Sequence, residues 1–337
     1  MPLKLGSGTN IAHWLSQSDQ RGANRRAWFT QQDMQRIADW GFEHLRLPID
    51  EQQMWDDGGQ PEIEAFDMLD QALDWAQQAG LKVVVDLHIL RSHFFANPPE
   101  PKLFTDPVEP PRFTALWRQL SARLKCRSND RVAYELLNEA VADDPQSWNR
   151  VAMGAFQALR ELEPDRTIVL GSNRWNSPLT FDQLQAPDDP KTILTFHYYL
   201  PFVLTHHAAP WWHEGGQYDG LIQYPGLPIP EDCLAKLNEP LRGQLAKLNE
   251  PYDRARMVVD LAKPLALSRS TGLPLYCGEF GVVDRVPRSP RLAWYRDVVS
   301  VFREFGIDWA NWEYKAGFGM IDKDGRSTGI AEAMLNL

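Results

Sequence analysis

Glutamates at the ends of apolar runs are the residues of this sequence best suited to acid–base or nucleophilic chemistry. The tripeptide Leu-Asn-Glu occurs three times, once in YELLNEAV at Glu139 and twice in LAKLNEP, at Glu239 and Glu250. A further glutamate, Glu279, ends the apolar run in LYCGEFG. Because glutamate is almost never buried without a partner, a glutamate that leaves a buried strand favours a functional role. The element before each glutamate therefore decides which of them can be catalytic.

The segments before the three Asn-Glu pairs predict different structures. RVAYELL, which precedes Glu139, is a mostly apolar run of the kind that forms a buried strand. The two LAKLNEP copies repeat after eleven residues and contain helix-forming Ala, Lys and Leu. Pro240 and Pro251 mark where each short helix should stop. We interpret Glu239 and Glu250 as solvated charges at helix ends, and Glu139 as the catalytic candidate.

The chain as a whole alternates short apolar strands with longer amphipathic helices. In EIEAFDMLDQALDWAQQAG, for example, Ile63, Phe66 and Leu69 share one helix face, and the strand LKVVVDLH follows at once. The predicted strands lie in LKLGSGTNI, HLRLPI, LKVVVDLH, RVAYELLN, TIVLGS, TILTFHYY, LPLYCGEFG and IDWANWEY. Eight strand–helix units predict an α/β fold, a closed (β/α)8 TIM barrel. An open doubly wound sheet is the alternative, but GSGTN lacks the G-x-G-x-x-G spacing typical of that fold.

One segment of about fifty residues, 203–252, interrupts this alternation after the sixth strand. It contains PWWHEGGQYDG, QYPGLPIP and both copies of LAKLNEP. A loop of this length inside a compact domain is usually functional, for example as a lid or as the wall of a binding cleft. We therefore predict one catalytic domain over residues 1–337, with an insertion or lid subdomain at 203–252 within it.

Composition and charge exclude several classes of protein. The 337 residues carry a net charge of −10, which opposes binding to nucleic acid. No apolar run approaches the ~18 residues that a membrane span requires. The N-terminus lacks the pattern of a signal peptide, which predicts a cytoplasmic protein, or a secreted one if a leader has been removed. We expect a monomer that binds neither nucleic acid nor membrane.

Polar and aromatic residues follow the apolar runs at the ends of the predicted strands. They are Arg46, His88, Asn138, Glu139, His197, Tyr198, Tyr199, Glu279 and Trp312. Active sites of such barrels lie at the C-terminal ends of the strands, so these side chains should meet. Two glutamates at one barrel mouth are typical of glycoside hydrolysis, in which one carboxyl group is a general acid and the other is ionised. A separation of roughly 5 Å would indicate a retaining enzyme, and one of about 6.5–9.5 Å an inverting enzyme.

Tryptophan is unusually frequent, with 13 residues. Those in predicted loops are Trp14, Trp55, Trp148, Trp175, Trp211 and Trp212. Because an aromatic ring offers a flat apolar face to the C–H face of a sugar, loop tryptophans favour carbohydrate binding.

Metal and cofactor sites are not indicated. The sequence contains neither His-x-x-x-His nor Cys-x-x-Cys spacing, and Cys126, Cys233 and Cys277 are not paired. The pairs His88 with His93 and His206 with His207 are weak metal signals. We therefore predict no metal and no cofactor.

The motifs RLP, DLH, LNE, HYY, GEFG and NWEYK, in this order and spacing, resemble those of the retaining β-glycanases of glycoside hydrolase family 5. The resemblance covers nearly the whole chain and is greatest to compact single-domain bacterial endoglucanases. It implies hydrolysis of β-1,4-glucan, or of mixed-linkage β-1,3/1,4-glucan, by a two-carboxylate double displacement. A β-mannanase or an exo-acting β-glucosidase of the same family is the alternative, and a barrel that binds glycans without hydrolysing them is a more remote one.

The resemblance also implies roles for the catalytic residues. Glu139 is expected to be the acid/base and Glu279 the nucleophile that forms a glycosyl-enzyme. Asn138 would bind the 2-hydroxyl group of the sugar. Arg46 would hold Glu279 ionised and oriented, and Tyr199 would donate a hydrogen bond to it.

The remaining residues of the predicted site are expected to contact the substrate. His88 and His197 would line the subsite in which the bond is cleaved, and Trp312 would be the floor on which that sugar stacks. Trp175 and Trp212 are predicted as further substrate-binding residues.

Overall fold

Eight strands form a closed barrel in the order β1 to β8. The structure is a computed structural model that describes residues 1–95, 99–213 and 215–335. The strands are β1 (Ser7–Asn10), β2 (His44–Asp50), β3 (Lys82–Ile89), β4 (Val132–Glu135), β5 (Ile168–Gly171), β6 (Thr192–Tyr198), β7 (Leu275–Phe280) and β8 (Asp308–Asn311). Their pairing is parallel, as in β2 with β3. The predicted (β/α)8 TIM barrel is confirmed.

Helices connect each strand to the next. They are α1 (Gly22–Trp28), α2 (Gln31–Asp39), α3 (Glu51–Met54), α4 (Ile63–Gln78), α5 (Lys102–Thr105), α6 (Glu109–Leu124), α7 (Pro145–Leu162), α8 (Asn173–Asn176), α9 (Phe202–Thr205), α10 (Glu231–Leu234), α11 (Leu241–Ala246), α12 (Arg254–Asp260), α13 (Ala262–Thr271), α14 (Arg288–Phe305) and α15 (Ile330–Leu335). A 3₁₀ helix, Pro178–Gln183, follows α8. None of the helices in the described part of the chain combines the length and apolar character that a membrane span needs.

The interior of the barrel is built in layers because alternate residues of a strand point to opposite faces. One layer is apolar and buried, and it consists of Leu5, Val84, Ala133, Val169, Ile193, Tyr276 and Ala310. Two residues further along the strands lies a polar layer, which includes Arg46, Asp86, Glu135, Thr195 and Gly278. Polar side chains thus point into the barrel two positions beyond the apolar layer, nearer to the C-terminal ends of the strands.

Two strand ends differ from the sequence-based prediction. Arg46 is the third residue of β2, which continues to Asp50, so Arg46 lies inside the barrel and not at the strand end. Strand β4 stops at Glu135, three residues earlier than predicted. Hydrogen bonds to the neighbouring strands nevertheless continue beyond it, from Leu136 N and from Asn138 N, the latter to Leu87 O at 3.3 Å. The chain is therefore still held at the barrel as it approaches Glu139.

The chain divides into two compact units. The first contains Met1–His197, Lys263–Gly278 and Asp308–Ala310. The second contains Tyr198–Ala262, Glu279–Ile307 and Asn311–Leu337. The first unit therefore holds most residues of all eight strands, whereas the second holds the last residues of β6, β7 and β8 and the long connection that follows β6.

That long connection contains the short helices α9, α10 and α11. Its end is held by paired backbone hydrogen bonds between Gly226 and Tyr252, both 2.9 Å long. The Tyr252 hydroxyl lies 2.6 Å from that of Tyr198, and both hydroxyl groups donate to the buried carboxylate of Asp260. Tyr198 thus anchors the insertion by its side chain.

The two LAKLNEP copies have different structural roles. Asn249 is buried, and its amide accepts a hydrogen bond from Ile229 N and donates one to Ile229 O, each 2.8 Å long. The equivalent Asn238 of the first copy is exposed. Glu239 caps the backbone of Gly243 at 3.0 Å and pairs with Arg242, as expected for a charge at a helix end.

These contacts predict unequal effects of the same substitution in the two copies. Asn249→Ala should lower the free energy of unfolding by about 1–3 kcal/mol, because it leaves buried backbone groups without a partner. Asn238→Ala should change it by less than about 0.5 kcal/mol, since that side chain is solvated. Urea denaturation of the two variants measures both values, and equal losses would contradict this assignment.

Candidate active site

Arg46 is the centre of a buried polar cluster inside the barrel. Its guanidinium binds Glu135 through two hydrogen bonds, from Nε at 2.7 Å and from Nη2 at 3.0 Å. Nη2 also lies 3.0 Å from Asp86 Oδ2. All three side chains are completely buried. A buried cation needs such partners, because an uncompensated charge in a protein interior is strongly destabilising.

Two carboxyl groups share this single guanidinium. Burial raises the pKa of Asp86 to about 7, against the opposing effect of Arg46. Burial likewise raises the pKa of Glu135 to about 7, and the neighbouring Asp86 adds to the rise. The cluster therefore takes up a proton more readily than exposed carboxylates do.

Arg46 also orients two asparagines. Its Nη2 donates to Asn138 Oδ1 at 2.8 Å, and its Nη1 donates to Asn10 Oδ1 at 2.9 Å. Asn10 Nδ2 in turn donates to the carbonyl oxygen of Gly278 at 2.9 Å. Gly278 immediately precedes Glu279 in the chain, so this path links Arg46 to the backbone next to that glutamate.

Glu139 contacts a histidine from β6. Its Oε1 lies 2.7 Å from His197 Nδ1. Burial lowers the pKa of His197 well below its ordinary value, and the charges of Arg46 and His88 act in the same direction. His197 is therefore neutral, and its Nδ1 can accept from a protonated Glu139 or, in the other tautomer, donate to the Glu139 carboxylate.

His88 is held in place from two sides. Its Nδ1 lies 2.6 Å from Asp86 Oδ2, and its Nε2 lies 3.4 Å from Gln17 Nε2. Asp86 thereby connects His88 with the Arg46 cluster.

Glu279 lies in the second unit, in the last part of β7. The hydroxyl group of Tyr199 donates to Glu279 Oε2 at 2.8 Å. Tyr199 follows β6 directly, and its carbonyl oxygen accepts a hydrogen bond of 2.6 Å from Thr205 Oγ1. A hydrogen bond that is donated to a carboxylate favours its ionised form.

The glycine before Glu279 is required by close packing. A Cβ atom at Gly278 would lie 2.9 Å from Thr195 Oγ1 and 3.3 Å from His197 Nε2. The motif Cys-Gly-Glu therefore has glycine where the strand passes the polar layer of the barrel.

The segment after β8 carries a second buried glutamate. Trp312 is 7% exposed, and its N–H donates to Phe280 O at 2.8 Å. The adjacent Glu313 accepts a hydrogen bond from Phe318 N at 3.4 Å. Burial raises the pKa of Glu313 well above its ordinary value, and the charges of Glu279 and Asp284 add to the rise. Glu313 is thus a carboxyl group that keeps its proton.

The tryptophans of the predicted loops differ in exposure. Trp14, Trp55 and Trp148 are almost fully buried and donate to internal acceptors, and Trp148 belongs to α7. The prediction of loop residues available for sugars is therefore wrong for these three, which are packing residues. Trp175 is 49% exposed, whereas Trp212 is only 9% exposed.

An aromatic cluster surrounds Tyr199 in the second unit. His206 stacks on Phe202 with ring centroids 3.8 Å apart, and it meets Tyr199 edge-on at 5.3 Å. Burial lowers the pKa of His206 to about 3, so this histidine is an uncharged packing group. Trp211, which is 55% exposed, packs against Phe318 at 6.3 Å.

Comparisons with known proteins identify the family. The sequence model described as Cellulase (glycosyl hydrolase family 5) matches residues 8–317. Endoglucanase C of Acetivibrio thermocellus is 30% identical over 312 residues, which cover 92% of this chain and 91% of that protein. The chain belongs to glycoside hydrolase family 5. It is therefore a glycoside hydrolase, and its family supports hydrolysis of β-glucan.

Two further proteins are similar over most of their length to this family 5 chain. Cellodextrinase A of Ruminococcus flavefaciens is 29% identical over 303 residues, which cover 89% of this chain and 82% of that protein. The crystal structure of endoglucanase Cel5A from Thermotoga maritima has a TM-score of 0.79 and 25% identity, and the match covers 98% of this chain and 97% of that one.

Four buried residues of the family 5 site were not anticipated from the sequence: Asn10, Asp86, Glu135 and Glu313. Asn10, Asp86 and Glu135 lie in strands, and Glu313 lies two residues after β8. Asp86 and Glu135 are two and four positions before His88 and Glu139. The period of two along a strand could have found Asp86, because its side chain shares a face of β3 with that of His88. The residues to which Asp86 and Glu135 bind could not be predicted from the sequence.

Some side-chain pairs of this site carry atoms of the kind that can bind a metal. The pairs His197 with Glu139 and His88 with Asp86 each offer two donor atoms. Catalytic zinc sites use three protein ligands and structural ones four. The absence of a metal from the reaction stays a prediction.

The raised pKa of Asp86 predicts a pH-dependent stability. Between the ordinary aspartate pKa of ~3.9 and the raised value of about 7, the folded protein holds a proton that the unfolded chain has lost. The free energy of unfolding should therefore fall as pH rises through this window. Relative to Asp86→Asn, the wild type should lose up to ~1.4 kcal/mol per pH unit between pH ~5 and ~7.

Urea denaturation at several pH values measures this difference. Glu135→Gln should show the same trend, because burial raises the pKa of Glu135 to about 7 as well. A difference that is constant, or that grows in favour of the wild type as pH rises, would contradict the assignment.

Proposed function

We propose that this family 5 enzyme is a retaining endo-β-glucanase that hydrolyses β-1,4-glucan or mixed-linkage β-1,3/1,4-glucan. The observation that carries the proposal is a pair of glutamates with different partners. Glu139 follows β4 and contacts neutral His197, whereas Glu279 ends β7 and accepts a hydrogen bond from Tyr199. Both strands belong to one closed parallel barrel, whose chemistry belongs at the C-terminal ends of its strands.

The reaction would proceed by double displacement. In the first step, Glu279 attacks the anomeric carbon while Glu139 donates a proton to the departing glycosidic oxygen, which leaves a covalent glycosyl-enzyme. In the second step, Glu139 removes a proton from water, and the resulting hydroxide displaces Glu279 from the anomeric carbon. The product keeps the configuration of the substrate because the carbon is inverted twice.

Glu279 is suited to the role of nucleophile. The Tyr199 hydroxyl group donates to its Oε2, which favours the ionised carboxylate that must attack. Asn10 holds the carbonyl of Gly278, one residue before Glu279, and Arg46 holds Asn10. We propose that Arg46 helps to orient Glu279 through this path.

Glu139 is suited to the role of acid and base. A general acid must keep its proton until the transition state, and a neighbouring cation would favour the loss of that proton. His197 is neutral, so it brings no positive charge to Glu139. At 2.7 Å, Nδ1 of neutral His197 can accept a hydrogen bond from protonated Glu139 and, in its other tautomer, donate one to the Glu139 carboxylate, which fits a residue that changes protonation state in each half-reaction.

Asn138 would bind the 2-hydroxyl group of the sugar. Arg46 donates to its Oδ1, which fixes the amide orientation. The Nδ2 group is then the part of the amide that can donate to the substrate. Hydrogen bonds to this hydroxyl group strengthen in the transition state and supply several kcal/mol in glycosidases.

Three tryptophans, of which only Trp175 is largely exposed, are proposed as the contacts with the rest of the glucan. Trp175 offers the larger exposed surface, Trp312 would stack under the sugar that is cleaved, and Trp212 would contribute an edge. His88 would line the same subsite as His197. We further propose that residues 1–337 act as one monomeric catalytic domain and that residues 203–252 form a lid or cleft wall.

The names of two relatives bear on the preferred chain length of the substrate. One is an endoglucanase and the other a cellodextrinase, so both polymeric and short β-glucans are reasonable substrates for this chain. We favour endo action on the polymer, which agrees with the higher identity to the endoglucanase.

A substrate panel tests this preference. Release of reducing ends from carboxymethyl cellulose, barley β-glucan, laminarin and mannan should be fastest with barley β-glucan or carboxymethyl cellulose. A rapid fall in viscosity at low hydrolysis would indicate endo action. Activity confined to mannan or to aryl glucosides would contradict the endo-β-glucanase proposal.

A mechanism-based label tests retention and the nucleophile together. A 2-deoxy-2-fluoro cellobioside with a good leaving group should inactivate the enzyme and add its mass to the peptide that contains Glu279. Glu279→Gln should lower kcat by at least ~10⁴-fold, since it removes the nucleophile. Labelling of a different carboxylate, or wild-type activity of Glu279→Gln, would refute this assignment.

A further inference from the structure

A strained turn follows β5 and contacts the chain on both sides of Glu139. Three consecutive residues, Arg174, Trp175 and Asn176, have φ values of 55°, 59° and 53°. This left-handed conformation costs roughly 1–2 kcal/mol for residues such as Arg174 and Trp175, and less for asparagine. Such strain persists only where the surrounding structure imposes it, and it is concentrated at functional sites. We call Ser172–Ser177, the segment that includes α8, the β5 turn.

The β5 turn is bonded to the segment that carries Glu139. The buried side chain of Asn173 accepts a hydrogen bond from Ala142 N at 2.9 Å and donates one to Ala142 O at 2.8 Å. Trp175 N donates to Ala140 O at 3.1 Å. Backbone groups one and three residues after Glu139 are therefore held by the turn.

The residue before Glu139 is held by the same turn. Asn176 Nδ2 donates to Asn138 O at 3.4 Å, and Asn176 Oδ1 accepts from Ser172 N at 2.9 Å. Asn176 is completely buried. It occupies the space next to Gly171, where a Cβ atom would lie 2.2 Å from Asn176 Oδ1. The Asn176 side chain can therefore pack here only because residue 171 is glycine.

The back of the turn is also supported. Thr180 Oγ1 donates to Asn173 O at 2.7 Å, and Ser172 Oγ donates to Ser177 O at 2.9 Å. The indole of Trp148 donates to Gly171 O at 2.9 Å. These contacts oppose relaxation of the left-handed residues, so the turn can act as a rigid support.

We propose that Asn173 and Asn176 are positioning residues that fix the backbone on both sides of Glu139 for proton transfer. The inference rests on the proposed role of Glu139 as acid/base. Neither asparagine contacts the Glu139 carboxyl group through the bonds described above. They act through the peptide groups of Asn138, Ala140 and Ala142, while His197 contacts the carboxyl group itself.

The consequence is a selective loss of acid/base catalysis when either support is removed. General acid catalysis contributes about 10²–10⁴-fold, and a displacement of ~1 Å can cost ~10²-fold. A displaced Glu139 matters for substrates whose leaving group needs a proton, and hardly at all for leaving groups that depart as stable anions. A merely structural role would reduce hydrolysis of both substrate types by the same factor.

The test compares kcat/KM for phenyl β-cellobioside and 2,4-dinitrophenyl β-cellobioside in the full-length enzyme. Asn173→Ala removes both bonds to Ala142. Asn176→Asp keeps the acceptor for Ser172 N and removes the donor to Asn138 O, and it retains a residue type that tolerates left-handed φ. For Asn173→Ala, kcat/KM should fall on the order of tenfold more for the phenyl than for the dinitrophenyl substrate. Asn176→Asp should act in the same direction and serves as the test if Asn173→Ala folds poorly.

Asn149→Ala is the matched control. Asn149 is buried in α7, and its amide also binds two backbone groups, Gln183 O at 2.9 Å and Gln185 N at 3.1 Å. Its loss should lower stability comparably without changing the ratio of the two substrates. If Asn149→Ala changes the ratio as much as Asn173→Ala does, or if both Asn173→Ala and Asn176→Asp leave the ratio unchanged, the proposal is overturned.

Glu139→Ala separates this inference from the proposed function. It should show the largest dependence on the leaving group, and added azide should restore turnover of the dinitrophenyl substrate with formation of cellobiosyl azide. If Glu139→Ala lacks both features, the acid/base assignment itself fails. If it shows both while the asparagine variants behave like the control, only the positioning role is refuted.

Discussion

The positive charge of Arg46 inside the barrel is the constraint on which the catalytic end of the first unit depends. A buried guanidinium is tolerated only with partners that satisfy both its charge and its donors. Asp86 and Glu135 provide the charge, and Asn10 and Asn138 accept the remaining hydrogen bonds. Asp86 also contacts His88, and Asn10 also binds the carbonyl oxygen of Gly278, so compensation of one charge also orders residues of the proposed mechanism.

Electrostatic surroundings distinguish the two proposed catalytic glutamates more than their positions do. Glu139 has a neutral histidine as its neighbour, whereas Glu279 accepts a hydrogen bond from a tyrosine hydroxyl group. A neutral neighbour adds no charge that would promote ionisation of Glu139, whereas a donated hydrogen bond favours the ionised form of Glu279. Glu313 completes this pattern as a buried carboxyl group that keeps its proton beside Glu279.

The repeated Leu-Asn-Glu tripeptide shows how far a local motif can be interpreted. Asn249 joins its segment to Ile229, Glu239 caps a helix, and Glu139 contacts His197 beyond β4. The preceding apolar strand was sufficient to select Glu139, because strand and helix patterns differ in period. It was not sufficient to anticipate Asn249, since its partner Ile229 is twenty residues away and is selected by the fold of the insertion.

Local patterns in the sequence were enough to predict the eight strand–helix units, and with them the barrel, the family and most residues at the strand ends. Period-two and period-3.6 patterns are local properties, and the C-terminal ends of parallel strands must meet at one end of a barrel. The position of Arg46 inside the barrel, and the burial of Trp14, Trp55 and Trp148, became known only from the three-dimensional contacts. The same is true of the hydrogen bonds between the β5 turn and the backbone around Glu139. These features depend on contacts between residues far apart in the chain, whose geometry no local pattern contains.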